Sequence, residues 1–203
     1  MRSDKIIFLD VDGVLNGVGN FGILVWRAFK LIGLEKLYKK YRPDPFRAYD
    51  RKVKLLSELV NKTGAKVILT SSCRFRYLKY TYDRRNRDEE AIKDTDDRII
   101  QLYNVLKKYK IHISGYTDSG PNRGAEVLEW LSSHDYPERY VILDDENTLY
   151  SDDIALSKQF IQTSSVALGV CIKGLASEKA GLKRKHVKKA IKILNNNEEN
   201  NNG

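Results

Sequence analysis

Ile6-Ile7-Phe8-Leu9-Asp10-Val11-Asp12-Gly13-Val14-Leu15-Asn16 is the stretch on which the reading of the whole chain turns. Ile6 to Val11 is a nearly continuous apolar run, the pattern of a parallel strand buried on both faces, and it closes on acids and a glycine. A strand that delivers two carboxylates two residues apart into a turn places both near one spot. Like charges that close repel, so they imply a cation or an unusual protonation state. Oxygen-only ligands of this kind suit Mg²⁺, which takes one or two carboxylates and fills its shell with water and substrate phosphate. An aspartate here can also attack phosphorus as a nucleophile. A strand-end turn with solvated aspartates would read the same way, so the string needs support from the rest of the chain.

Two further segments supply it. From Asp50 to Asn61, Val53, Leu56, Leu59 and Val60 recur at helical spacing, and Gly64 is a natural stop. Val67-Ile68-Leu69 follows as a second buried strand ending on Thr70-Ser71-Ser72. An amphipathic helix near Asp96–Tyr109, a short strand at Ile111–Ser114, a helix over 124–132 and the strand Tyr140–Leu143 complete the series. The last strand ends on Asp144-Asp145. Strands alternating with helices predict an α/β fold with a parallel sheet flanked by helices. Its polar clusters fall at the carboxyl ends of three strands, where open α/β sheets bind their ligands.

The string around Asp10 and Asp12 resembles motif I of the haloacid dehalogenase (HAD) superfamily of phosphotransferases. Val67-Ile68-Leu69-Thr70-Ser71 is similar to motif II, Arg123 to the basic residue of motif III, and Val141-Ile142-Leu143-Asp144-Asp145 to the acidic motif IV. The resemblance runs from residue 5 to about 182. A narrower likeness, to the HAD group of Swiss Army Knife RNA-repair proteins, lies in several short segments. They are Thr70-Ser71-Ser72-Cys73-Arg74, Ile113–Thr117, Arg123–Leu131, Ile142-Leu143-Asp144-Asp145 and Gly174-Leu175. In that group Trp-Arg usually follows motif II, where this chain has Cys73-Arg74; motif III is more often Lys.

The resemblance implies a Rossmann-like HAD fold; the glycines, apolar-basic run and prolines of residues 17–49 read as a small helical insertion after the first strand. The resemblance also implies a Mg²⁺-dependent phosphohydrolase working through an aspartyl phosphate. Asp10 would be the nucleophile and Asp12 the general acid and base. Asp10, the Asp12 main-chain carbonyl, Asp144 and Asp145 would hold the metal, and Thr70, Ser71, Arg123 and Gly13 would hold the phosphate. Among Thr70, Ser71 and Ser72 the phosphate-binding hydroxyl is Thr70 or, as second choice, Ser71; capping of the next helix competes for all three. A dehalogenase lacks the second aspartate, because halide needs no proton, so Asp12 favours phosphoryl transfer.

Composition narrows the setting. The 203 residues carry 36 Lys+Arg against 27 Asp+Glu, a formal charge of +9 that favours a polyanionic partner. The most apolar stretch, Phe21 to Leu34, is broken by Arg27 and Lys30, so no membrane span is expected. The start runs straight into a strand without a secretory h-region. Cys73 and Cys171 are too few for a disulfide framework, which points to a reducing compartment, cytoplasm or nucleus. His112, His134 and His186 share no metal-ligand spacing. One catalytic domain over 1–194 is expected, with an insertion or cap at 17–49 and a disordered Asn-rich tail at 195–203.

The positive charge is concentrated in two places. Residues 74–90 interleave Arg74, Arg76, Arg84 and Arg85 with Phe75, Tyr77, Tyr80 and Tyr82, a pattern equally suited to contacting RNA or DNA and to ordinary surface. Lys183–Leu194 reads as a docked terminal helix with a solvated lysine face. The leading expectation is a phosphatase for a nucleotide or for RNA or DNA ends. A small-metabolite phosphatase and a catalytically silent nucleic-acid-binding module are the alternatives.

Overall fold

The computed structural model describes residues 4–16, 31–33, 48–146, 154–163 and 180–195. Strands β1 (Lys5–Leu9), β2 (Lys66–Leu69), β3 (Ile113–Tyr116), β4 (Arg139–Asp144) and β5 (Phe160–Gln162) form one sheet in the order β3-β2-β1-β4-β5. Every pairing is parallel. The chain steps outward from β1 to β2 and β3, then returns to the other side of β1 with β4. The order therefore reverses between β1 and β4, and the crevice at the carboxyl end of such a switch is where these sheets take ligands.

Alternation along the strands sorts the core into two layers. Ile7, Leu9, Val67, Leu69, Val141 and Leu143 face one side; Ile6, Phe8, Ile68, Tyr140 and Ile142 face the other. The first layer is covered by α1 (Asp50–Thr63), α2 (Arg74–Asn86), α4 (Asp97–Lys108) and α7 (Arg184–Asn195), with the short α3 (Glu89–Lys93) between α2 and α4. The second is covered by α5 (Arg123–Ser133) and α6 (Ile154–Gln159). Because both faces are buried, the strands read as continuous apolar runs. In α1, Val53, Leu56 and Leu59 are wholly buried, and Gly64 ends the helix at φ 68°, its N–H reaching the Val60 carbonyl.

Two boundaries differ from expectation. The strand expected at Ile111–Ser114 begins two residues later. Lys110 turns at φ 56°, and the Ile111 N–H is still bonded 3.0 Å to the Leu106 carbonyl, so Ile111 closes α4 instead of opening β3. Asn195, expected to begin the tail, is the last residue of α7. Its side chain accepts from Lys5 Nζ (2.8 Å) and donates to the Lys62 carbonyl (3.3 Å). The expected insertion lies outside the described residues apart from 31–33 and 48–49. So do residues 196–203 of the tail, Gly174-Leu175 and Cys171. Among the described residues no helix is long and apolar enough to cross a membrane.

The α7 helix docks by His186, Val187, Ala190 and Leu194 and leaves its lysines on the outer side. His186 is buried, and its Nδ1 accepts the Lys183 N–H at 3.2 Å, so the neutral ring ties off the first turn. Burial first, then the lysines at 185, 183, 52 and 189, push its pKa down to about 4. A depressed histidine favours the folded state above its ordinary value near 6.5, and that contribution is lost as pH falls from 6.5 to 4. His186→Gln keeps an acceptor for Lys183 without the titration. Urea unfolding at pH 7.5 and 4.5 should therefore show a smaller acid loss in the variant, by on the order of 2–3 kcal/mol. Equal acid losses in the two proteins would contradict this account.

Candidate active site

Asp10 follows β1, its backbone N–H bonded 3.0 Å to the Leu143 carbonyl of β4, so it sits at the switch point beside Asp144. Asp10, Thr70 and Asp144 are all fully buried, each at or just past the end of its strand. Carboxylate oxygens of Asp10, Asp144 and Asp145 lie within 4.8 Å of one another. Three acids this near, two of them fully out of water, repel one another. Burial first, then Asp144, hold the Asp10 carboxyl well above the usual carboxylate range, against the lowering pull of Arg123. Burial and then Asp144 push Asp145 up to about 7.

Arg123 is the counter-charge. Asn122 caps α5 through its side chain, which accepts the Ala125 N–H at 2.9 Å, and so sets Arg123 on the first residue of the helix. Its Nη1 lies 2.6 Å from Asp144 Oδ2 and 3.2 Å from Asp10 Oδ2. The chemistry left open is telling. Both Asp10 oxygens and Thr70 Oγ1 are buried with no hydrogen-bond partner, and a buried polar atom left unsatisfied costs about 1–3 kcal/mol. A fold carries such a cost where a ligand supplies the missing bonds.

The turn after β1 is shaped for the same purpose. Gly13 takes φ +74°, and a Cβ there would fall inside the Asp145 carboxylate, so only glycine lets Asp145 approach. The Gly13 carbonyl accepts from Thr163 Oγ1 at 2.9 Å. Asp12 is held apart from the trio's own contacts by Asn16: its Oδ1 accepts from Asn16 Nδ2 at 2.6 Å, while Asn16 Oδ1 accepts the Gly13 N–H at 2.8 Å. Asn16 is fully buried and so fixes both the turn and the orientation of Asp12. Its position four residues after Asp12 was in view in the sequence, but its role shows only once the turn closes. Gly181, at φ +72°, has no room for a Cβ, which would come 2.6 Å from the Val14 carbonyl; it lets Leu182 donate to that carbonyl at 2.9 Å.

The hydroxyls after β2 separate. Cys73, not one of them, occupies the N-cap of α2, with no side-chain cap bond, so capping does not account for Thr70, Ser71 or Ser72. Ser71 accepts from Cys73 Sγ at 3.5 Å, and Ser72 is exposed, which leaves the Thr70 hydroxyl as the unengaged one. Burial pushes the Cys73 thiol up to about 11, so it stays protonated.

The expected substrate contact at Arg74 is corrected. Arg74 is 5% exposed. Its Nε donates to the Thr117 carbonyl (2.7 Å), Nη1 to the Thr70 and Ser71 carbonyls (3.1 and 3.0 Å) and Nη2 to the Asp118 carbonyl (3.1 Å). Nη2 also lies 3.1 Å from Glu126 Oε1. The guanidinium binds together the loops after β2 and β3 and has no face left for a substrate. Glu126, unremarked in the sequence, holds it from α5 and also accepts from Thr117 Oγ1 and the Gly120 N–H. Arg76 is exposed and paired with Asp96 (3.3 Å); Arg84 and Arg85 lie on the exposed side of α2. Tyr77 and Tyr80, expected to alternate with these as stacking surface, are buried against Tyr103.

No curated protein and no solved structure matches the chain. Residues 6–170 do match a family model, that of the HAD domain in Swiss Army Knife RNA repair proteins. The matched span includes the acidic trio, Thr70, Arg123 and, apart from Lys5, all five strands of the parallel sheet. The chain belongs to the HAD domain family of Swiss Army Knife RNA repair proteins.

Proposed function

We propose that the chain is a Mg²⁺-dependent phosphohydrolase that removes a terminal phosphate from a polynucleotide or nucleotide through an aspartyl phosphate on Asp10. The observation that carries this reading is the buried Asp10 carboxylate, both oxygens without a hydrogen-bond partner, together with the Thr70 hydroxyl, which also has none. A solvated turn would leave such groups to water, and a purely structural one would pair them.

The donor set fits a hard cation: three carboxylates within reach of one another, oxygen only, with Asp10 unsatisfied. Asp10, Asp144, Asp145 and the Asp12 main-chain carbonyl would hold it. Bound there, Mg²⁺ offsets the repulsion between the Asp10 carboxylate and an approaching phosphate and keeps that carboxylate ionised. The protein's own groups do the rest. Thr70 Oγ1 and the Arg123 guanidinium hold phosphoryl oxygens, and the Arg123 fork is suited to a bidentate grip. An Asp10 oxygen forms a bond to phosphorus as the ester P–O bond breaks, and Asp12 gives its proton to the leaving oxygen. Water then attacks the same phosphorus, its proton passes to Asp12, and the Asp10–phosphorus bond breaks to release inorganic phosphate. Asn16 keeps Asp12 aimed for both transfers.

The chain's net charge of +9 supports a polyanionic substrate. Phosphate release from 3′- and 5′-phosphorylated oligonucleotides, beside a panel of small phosphate esters, tests the reading. Mg²⁺-dependent release from an oligonucleotide end is expected. Release from small esters alone would remove the polymer substrate, and no release from either would remove the hydrolase.

A further inference from the structure

We infer that the groove between α2, α4 and the outer edge of β3 is a binding track for single-stranded polynucleotide leading to the Thr70 side of the site. The inference rests on the polymer-substrate reading above and adds the surface that would carry it. The groove encloses about 720 Å³, and its lining includes Arg84, Arg85, Lys107 and Lys110 but no Asp or Glu. The chain as a whole has three acids for every four bases, so a lining with cations alone is a segregated charge and not an average surface. Backbone phosphates are the ligands such a field attracts.

Aromatic groups accompany the cations. Arg84 lies over the Tyr103 ring at 5.2 Å and donates to Tyr80 Oη at 3.3 Å; Lys107 Nζ is 6.0 Å from the same Tyr103 centroid. These tyrosines steady the cations from beneath. Tyr116, also in the groove lining, is 39% exposed and meets the 44% exposed Phe75 edge to face at 6.0 Å. Exposed rings of this kind stack bases without regard to sequence.

Direction comes from the sheet. Among the described residues β3 pairs with β2 alone, at the edge of the sheet, and its outer side borders the groove. β3 itself runs roughly 13 Å over its four residues, with Lys110 ahead of its amino end and Tyr116 closing its carboxyl end. From Tyr116 the next residue, Thr117, donates to the Leu69 carbonyl at 3.0 Å, and Thr70 follows Leu69. A strand laid along the groove thus arrives at the hydroxyl left unpartnered in the site.

The test is fluorescence anisotropy with an unphosphorylated 12-mer, in RNA and DNA forms, without Mg²⁺. These oligonucleotides carry no terminal phosphate, so binding is read apart from hydrolysis. Wild-type protein should bind both forms, more weakly as salt rises. The triple variant Arg85→Ala, Lys107→Ala, Lys110→Asn should bind at least about tenfold more weakly at low salt. Its log–log salt slope should be shallower by about 2, since each lost single-strand phosphate contact removes about 0.7. Asn suits the left-handed φ at Lys110, and all three positions are exposed, so the fold is kept. Tyr116→Ala should weaken binding about tenfold through stacking alone, with the salt slope unchanged.

Wild-type affinity for both 12-mers in the triple variant would overturn the track, as would a groove that takes up an acidic peptide but neither 12-mer. The two readings fail separately. Groove-dependent binding without any phosphate release would sink the hydrolase and leave the track standing. Phosphate release from oligonucleotides with variant-insensitive binding would do the reverse.

Discussion

Asp10→Asn should lower phosphate release by about 10³-fold or more and, in the same metal-free protein, raise the melting temperature. The first effect follows from the nucleophilic role proposed for Asp10, since removing a group that forms a covalent intermediate costs factors of this size. The second follows from what Asp10 endures in the fold. Its carboxylate is wholly buried, faces Asp144 and Asp145, and accepts no hydrogen bond. The opposing effect is the lost attraction to Arg123, but that guanidinium keeps its shorter contact of 2.6 Å with Asp144. Relief of repulsion and desolvation should win. The gain should be about 1–2 kcal/mol, typical where a site is organised for a ligand and not for stability. For a chain of this length that is a rise of several degrees, at about 2–4 °C per kcal/mol. Added Mg²⁺ should raise the wild-type melting temperature and raise the variant's much less. Turnover retained within tenfold of wild type would end the mechanism, and a variant that melts lower than wild type would end the account of strain.

The placement of that acid was legible because it depends on local pattern. A strand buried on both faces announces itself as an apolar run, and whatever polar residue follows it must lie at the sheet's carboxyl edge. Asp10, Thr70 and Asp144 could therefore be brought together from three short strings far apart in the chain. The α2 segment was harder to read. Its buried positions, Arg74, Tyr77, Tyr80 and Asp83, recur every three residues, but two of the four are charged and the others are tyrosines. Composition there suits an exposed basic surface as well as a half-buried helix, and only the carbonyls of two distant loops show why Arg74 points inward. The strand shift at Ile111 has a similar cause. Lys110 can take a left-handed turn as a non-glycine residue, and nothing in its chemistry signals that α4 closes through Ile111.

Arg74→Leu should destabilise the fold by about 3–5 kcal/mol, because it strands the Glu126 carboxylate in the interior and leaves four carbonyls short of a donor. At about 2–4 °C per kcal/mol the melting temperature should fall by roughly 10 °C. Phosphate release, measured well below that temperature, should fall too, since the Thr70 carbonyl is one of the four and the hydroxyl it carries would no longer be fixed. The double variant Arg74→Leu, Glu126→Leu separates these effects. Removing both charges takes away the buried unpaired carboxylate, and apolar replacement of a buried pair is often close to neutral, so much of the stability should return. Activity should not return with it. The loops after β2 and β3 would still lack the fork that spans them, and Thr117 and Gly120 would have lost their acceptor. Arg74→Lys should keep the charge beside Glu126 yet lose most of the donors, so its stability should exceed that of Arg74→Leu while its turnover stays low. Full activity in the double variant would show that the loop holding Thr70 is set by its backbone bonds alone, namely Thr70 N–H to Leu9 and Arg74 N–H to Ser71.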